Sequence, residues 1–442
     1  MKFRVFALVL AASLLAGLAP AAAQIPPIPQ GWQLERAVLV VRHGVYAPVE
    51  APDGPDKRVA TPWPSWPSTP GALTQRGAEL MREMGSYYRA LYGELGLIEA
   101  DICPAAGSVA AWADVDERSR ASAQALLTGL YPRCNLVSHA QADLATPDPL
   151  FNPQPSASCP MDPASNKTAI LARIGGDFSS VLREYKPQLT AVQTVLCPPA
   201  LSGGLAQCGL SAAVPSIEAR PDGRLEMKGP IAVGANAAEL FLMESAQGLP
   251  TDEVAWGRLS GDAALTNVLE IRRLRVDLMD KTMPVAQQKG SNLLSQVAAT
   301  LQDGHNFPAE PPIREPVRLA LLVAHDSNIA NIAGLLNLAW TIPGLQPNDP
   351  SPGGVLAFEL LRNRRSGEHQ VRLAYYAQTL DQLRQAARLD LARPPGMVAV
   401  SLPGCSDPAQ GGACTLQRFT ALVSSKVEPG CVTVKSVGKT SK

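Results

Sequence analysis

Ala37-Val38-Leu39-Val40-Val41-Arg42-His43-Gly44-Val45-Tyr46-Ala47-Pro48 is the stretch on which the fold turns. It passes in one step from an unbroken apolar run to side chains that carry chemistry. Consecutive apolar residues without alternation are what a short strand buried on both faces requires. Val317 to Ala324, apolar apart from Arg318, repeats the pattern and runs into His325-Asp326-Ser327-Asn328. Val109 to Ala113 is a weaker third run. The segments that follow the last two, Ser122 to Leu130 and Ile329 to Leu338, have helical composition. Strand, loop and helix in succession predict an α/β fold with a mostly parallel sheet flanked by helices.

In open sheets of this kind ligands bind beyond the carboxyl ends of the strands, so the two polar clusters are expected to face one crevice. A histidine at a strand end is often only a hydrogen-bonded structural residue, and either cluster alone says little. Together they say more. Arg-His-Gly lets an anion approach the backbone closely, and His-Asp sets a second cation beside a proton donor. The pair points to a phosphate site built from side chains, since glycine-rich phosphate loops of the P-loop or dinucleotide kind are absent.

From about Asp162 to Val297 the pattern changes to helices, for example Thr168 to Arg173, Val233 to Met243 and Leu265 to Leu278, broken by Gly/Pro-rich loops. This predicts a helical domain inserted into the α/β domain. No internal repeat is present. Ile25 to Pro29 and the tail after Cys431 read as loose ends. Pro62-Trp63-Pro64-Ser65-Trp66-Pro67 reads as an extended loop whose tryptophans either line a pocket or simply pack.

Composition narrows the function. The chain has 442 residues, with Lys plus Arg equal to Asp plus Glu at 39 each. That balance lacks the positive excess of nucleic-acid binders, so any attraction for anions must be local. Lys2 and Arg4, the apolar Val5 to Leu18 and Ala21-Ala22-Ala23 before Gln24 have the layout of a secretory leader. The apolar run is shorter than the roughly 20 residues of a spanning helix, so residues 1–23 are expected to be a signal peptide, with no membrane attachment after cleavage.

Eight cysteines in an exported chain form an even set, which an oxidising compartment would pair. Cys197/Cys208 and Cys405/Cys414 each bracket a short loop, so local bridges are the simplest expectation there. Zinc is the competing reading. No Cys-x-x-Cys occurs and the five histidines show no ligand spacing, so no metal is expected.

At Arg42-His43-Gly44-Val45-Tyr46-Ala47-Pro48 and His325-Asp326 the chain resembles the histidine acid phosphatases, in their bacterial branch of periplasmic phytases and glucose-1-phosphatases. The family motifs are R-H-G-x-R-x-P and H-D. Leu73-Thr74-Gln75-Arg76-Gly77, Ala113-Asp114-Val115-Asp116-Glu117-Arg118-Ser119-Arg120, Asp148-Pro149-Leu150-Phe151-Asn152-Pro153 and Pro352-Gly353-Gly354 extend the likeness over nearly the whole mature chain.

The resemblance implies a periplasmic or secreted enzyme with a phosphoglycerate-mutase-like α/β domain, 24–160 and 290–442, and an inserted mostly helical domain, 161–289. It would be an acid phosphomonoesterase acting on sugar or inositol phosphates through a phosphohistidine, with no cofactor. His43 matches the nucleophile and Asp326 the proton donor. Arg42 and Arg120 match the phosphate-holding arginines, and His325 the second phosphate-binding histidine. Glu239 aligns with a substrate-side glutamate, a solvated helix face being the alternative. The pairing implied is Cys103–Cys134, Cys159–Cys431, Cys197–Cys208 and Cys405–Cys414.

The implied chemistry is coherent. Arginines and His325 would neutralise the phosphoryl oxygens, His43 would attack as neutral imidazole, and Asp326 would be protonated as the ester oxygen leaves, which favours acidic pH. Three departures bear on substrate. Tyr46 stands where the family motif has its third arginine, Val49 where the phytases have a hydroxyl residue, and Glu50 where they have a lysine. Less positive charge at the entrance disfavours a polyanion relative to a singly phosphorylated sugar. The rival from another class is a non-catalytic phosphate-ester binding protein that lost turnover through Tyr46.

Overall fold

The computed structural model describes residues 27–49, 59, 61–198, 210, 214–308, 316–407 and 412–433. The leader expected at 1–23, Glu50 and Cys208 therefore lie outside the described residues.

The central sheet is mixed, with a parallel core. Strand β1 (Trp32–Arg42) pairs in parallel with β5 (Leu319–Ala324), placing Val41 opposite Val323 and Arg42 opposite Ala324. On the far side of β5 lies β2 (Val109–Ala113), also parallel, with Ala113 opposite Val323. The three strands thus end level. Their carboxyl ends deliver Arg42-His43, His325-Asp326 and Asp114 to one edge of the sheet.

Beyond β1 the sheet changes sense. The antiparallel strands β6 (Val355–Asn363), β7 (His369–Ala377) and β8 (Gly396–Val400) extend it, and β9 (Cys414–Thr415) pairs with β7. The sequence reading had no counterpart for these four.

Alternation along β1 builds the two core layers. Val38 and Val40, with Ala320 and Leu322, pack against helices α8 (Met283–Gln302), α9 (Asp326–Leu336) and α11 (Leu416–Lys426). Leu39, Val41 and Val323 face the other way, against α1 (Gln75–Glu94) and α2 (Glu117–Leu130). Each of these aliphatic side chains is fully buried, which is worth about 1.5 to 3 kcal/mol for a Val or Leu. Gly85 and Gly129 let α1 and α2 cross backbone to backbone. A Cβ on Gly85 would lie 2.2 Å from the Leu126 carbonyl oxygen, and one on Gly129 2.1 Å from that of Arg82.

Residues between α2 and α8 form mostly helices: α3 (Pro163–Ala172), α4 (Ser179–Glu184), α5 (Lys186–Leu196), α6 (Pro230–Gln247) and α7 (Asp262–Asp280). Asp162 starts α3 by accepting from the Ala164 and Ser165 amides, and Pro163 supplies the preset φ of a first helical residue. A small hairpin of β3 (Ser216–Ala219) and β4 (Leu225–Lys228) interrupts the helices. Ile170, Val192, Phe241, Val268 and Ile271 lie in a third apolar cluster of this region. The short α10 (Leu380–Gln385) packs on α6.

The tryptophan loop packs rather than lining the cleft described below: the Trp63 ring lies 4.6 Å from that of Trp256 and 5.8 Å from that of Phe241. Disulfides join Cys103 to Cys134, Cys159 to Cys431 and Cys405 to Cys414, as expected. The fourth expected pair involves Cys208. Among the described residues no helix is long and apolar enough to cross a membrane.

Candidate active site

The carboxyl ends of β1 and β5 open into a cleft of about 380 Å³, whose other wall comes from α6 and α7. His43 begins the turn out of β1, and its backbone is fixed on both sides. Its amide donates to the Ala324 carbonyl at 2.8 Å, and its carbonyl accepts from the Gly353 amide at 3.1 Å. The next amide, of Gly44, donates to Ser122 Oγ at 2.9 Å, tying the turn to α2.

The tautomer of His43 follows from one contact. Its Nδ1 lies 2.9 Å from the Gly44 carbonyl oxygen, which can only accept. Nδ1 therefore carries the hydrogen, and in the neutral ring Nε2 keeps its lone pair. Burial, and then the charges of His325, Arg42 and Arg118, hold the imidazole well below its usual 6.5, so the neutral form persists into acid.

His325 sits 5.4 Å from His43, ring centroid to centroid, with the opposite tendency. Burial alone would lower its pKa, but its Nε2 donates to Asp114 at 2.8 Å and lies 3.1 Å from an Asp116 oxygen, which together raise it. Asn152 Nδ2 donates to the same oxygen of Asp114 at 2.6 Å. Asn328 fixes the start of α9: its Oδ1 accepts from the His325 amide at 3.1 Å and its Nδ2 donates to the Phe151 carbonyl at 2.8 Å.

Asp326 opens α9 and lines the cleft. Burial favours its neutral form, but the Arg42 and Arg272 guanidiniums outweigh burial and hold the carboxyl below the usual carboxylate range. Arg272 Nη2 donates to Asp326 Oδ2 at 2.8 Å, and Arg42 Nη2 lies 3.9 Å from the same oxygen.

Glu239 is drawn into the site rather than left on a solvated helix face. One of its oxygens accepts from Arg42 and the other from Arg272. Arg42 is 1% exposed and also donates from Nη1 to the Pro350 carbonyl at 2.8 Å. Tyr46 lines the cleft edge-on to His43, with ring centroids 4.9 Å apart. Burial and the nearby Glu239 push its phenol up to about 12, so it keeps its proton and can donate a hydrogen bond.

One sequence expectation is corrected. Arg120 does not reach the cleft: its Nε donates to the Val115 carbonyl at 3.1 Å, and it borders a separate depression with Glu117 and Gln124. Arg118 lines the cleft instead, its Nη2 3.0 Å from Asp116 Oδ2. At about 100° of turn per residue, two positions apart on α2 point to nearly opposite sides, so only one of the two arginines can face the cleft. Arg272, Arg275 and Asn152 also line the cleft and were not anticipated. Four guanidiniums, two imidazoles and the carboxyls of Asp116, Glu239 and Asp326 thus share one cavity, an arrangement able to hold a phosphoryl group and exchange its substituent.

Comparison with known proteins agrees. The model of the histidine phosphatase superfamily (branch 2) matches residues 33–198 and 256–376. The phytase AppA of Escherichia coli (strain K12) is 35% identical over 95% of this chain and 98% of its own length. A glucose-1-phosphatase of Salmonella typhimurium is 29% identical over 92% of this chain and 96% of its own. The structure of the Hafnia alvei phytase in complex with myo-inositol hexakis sulphate superposes with a TM-score of 0.84 at 34% identity, covering 92% of this chain and 100% of that one.

Proposed function

The chain belongs to the histidine phosphatase superfamily, branch 2, and on that premise we propose that its cleft hydrolyses sugar or inositol phosphate monoesters with His43 as nucleophile and Asp326 as proton donor. The observation that carries these roles is the fixed tautomer of His43. Its Nδ1 hydrogen is committed to the Gly44 carbonyl, which leaves the Nε2 lone pair for attack.

The ester's phosphoryl oxygens sit among Arg42, Arg118 and His325, which neutralise the charge that spreads over them in the transition state. Nε2 of His43 attacks phosphorus as the bond to the ester oxygen breaks, and Asp326 gives that oxygen a proton. In the empty cleft Asp326 is ionised. It takes up its proton when the anionic ester enters beside it, from solvent or from the ester's own P–OH. Water then attacks the phosphohistidine, with the Asp326 carboxylate receiving the water's proton. Inorganic phosphate leaves and His43 is again neutral. The relatives matched over nearly the whole chain are a phytase and a glucose-1-phosphatase, which supports turnover over the alternative of a binding protein without it.

The replacement of an arginine by Tyr46 favours a singly phosphorylated ester over a polyanion, with the ring packing against the organic group. The three disulfides among the described residues fit an oxidising compartment, periplasmic or extracellular. The helices of 161–289, clustered about Phe241 and Ile271, are read as the inserted domain that closes the cleft from above.

The test is chemical. Brief mixing with labelled ester followed by an alkaline quench leaves label on the protein, acid removes it, and His43→Ala carries none. Equal labelling of both proteins would overturn the assignment.

A further inference from the structure

Arg272 occupies the apolar stripe of α7, between Val268 and Val276, with its side chain 3% exposed. An arginine there must find its partners inside the protein, and this one uses its whole fork. Nε donates to Glu239, Nη1 to Asp349, and Nη2 to Asp326. The three carboxylates come from three places: α6, the loop before β6 and the first turn of α9. Asp349 is held in turn by Ser351 Oγ at 2.8 Å.

We propose that Arg272 is a positioning residue for the protonation step, which anchors the Asp326 carboxyl and sets the pH above which it can no longer give up a proton. The proposal rests on the reading of Asp326 as the donor.

The surroundings of Asp326 show why Arg272 has this place. Arg42 and His43 face it from the end of β1, Tyr46 from the loop beyond, Glu239 from α6, Arg272 from α7, and His325 from the adjacent position. The Ser327 amide also donates to it at 2.9 Å. When an ester enters, its phosphoryl oxygens compete for Arg42, and their charge raises the proton affinity of Asp326. Arg272 does not give way so readily, because Glu239 and Asp349 tie it independently of the ester. It therefore keeps opposing protonation in the occupied cleft. Cleavage of esters that need a proton on the leaving oxygen is confined to more acidic solution by this one guanidinium.

The measurement is the single-turnover rate of ester cleavage against pH, at saturating full-length protein, for glucose 1-phosphate and for p-nitrophenyl phosphate. In Arg272→Gln the alkaline limb for glucose 1-phosphate moves up by about one pH unit, the shift expected when a close opposite charge is removed. Arg272→Lys, which keeps the charge, returns the limb toward its original position. Asp349→Asn, which leaves Arg272 less neutralised, moves the limb the other way, toward acid. The p-nitrophenyl phosphate profile keeps its position whatever its height, because that phenolate leaves without protonation. Asp349→Asn gives a second readout should Arg272→Gln not fold. An unmoved limb in the variants, or equal displacement for both esters, overturns the proposal. If His43 still labels and Asp326→Asn still discriminates between the two esters, such a result removes Arg272's role alone and leaves the proposed function standing.

Discussion

The guanidinium of Arg118 lies over the ring of Tyr46, 5.2 Å from its centroid. A cation and an aromatic face at that distance attract each other, so Tyr46 both lines the cleft and helps hold Arg118 in its wall. Tyr46→Arg would exchange this attraction for repulsion between two guanidiniums while adding a charge-assisted bond to phosphate, worth about 1.5 to 3 kcal/mol. The expected outcome is a gain in kcat/KM on phytate and a loss on glucose 1-phosphate. A uniform rise over phytate, glucose 1-phosphate and p-nitrophenyl phosphate would show that Tyr46 is only a damaged arginine.

Arg118 and Arg120 can be told apart by truncation. Arg118→Ala removes a cation from the cleft and is expected to lower kcat/KM roughly ten- to a hundredfold on any ester. Arg120→Ala, whose side chain bonds the Val115 carbonyl away from the cleft, should change it by about twofold or less. The reverse ranking would restore Arg120 to the site.

Asp326→Asn keeps the shape of the side chain but cannot deliver a proton. Turnover of glucose 1-phosphate should fall by about a hundredfold or more, while p-nitrophenyl phosphate, with its good leaving group, falls far less. Equal losses would mean that Asp326 only orders the arginines around it.

Glu244 on α6 links pH to stability. It is fully buried and accepts one hydrogen bond, from the Ala255 amide at 2.7 Å, and burial pushes its carboxyl from 4.5 up to about 7. The folded protein therefore binds this proton more tightly than the unfolded chain. Its contribution is full below the unfolded value near 4.5 and is lost as pH rises toward 7, where a buried carboxylate costs on the order of 3 kcal/mol. Glu244→Gln should raise Tm at pH 8 and leave it nearly unchanged at pH 4, in thermal melts at the two pH values. A gain of the same size at both would separate the effect from ionisation.

Much of the site was legible because two histidines follow two apolar runs, and parallel strands of a common sheet deliver their ends to one place. Helical phase was the weak point. Asp116-Glu117-Arg118-Ser119-Arg120 offers two arginines, and which one faces the cleft depends on where α2 begins. Arg272 left a signal that went unread: Leu265, Val268, Arg272, Val276 and Met279 share one helical face, so the arginine interrupts an apolar stripe. Strands β6 and β7 were missed because Val355-Leu356-Ala357-Phe358-Glu359-Leu360-Leu361 suits a helix as well as a strand. Its one charge, Glu359, is answered across the sheet, by Arg372 Nε at 2.6 Å. The β3–β4 hairpin carried its own mark, Asp222-Gly223, in a region otherwise helical.

The bridge between Cys159 and Cys431 makes the covalent molecule a lariat. Its ring runs from 159 to 431 and contains Glu239, Arg272, His325 and Asp326; its tail contains His43, Tyr46 and Arg118. A single backbone cut within the ring releases nothing until the disulfide is reduced. A cut at the neck, between 135 and 158, parts His43 from Asp326, and the two pieces then meet in the sheet where β1 lies between β5 and β6 and where β2 pairs with β5. The chain is thus divided by its own cross-link into two halves of one active site, a natural place to split it and ask whether the halves reassemble.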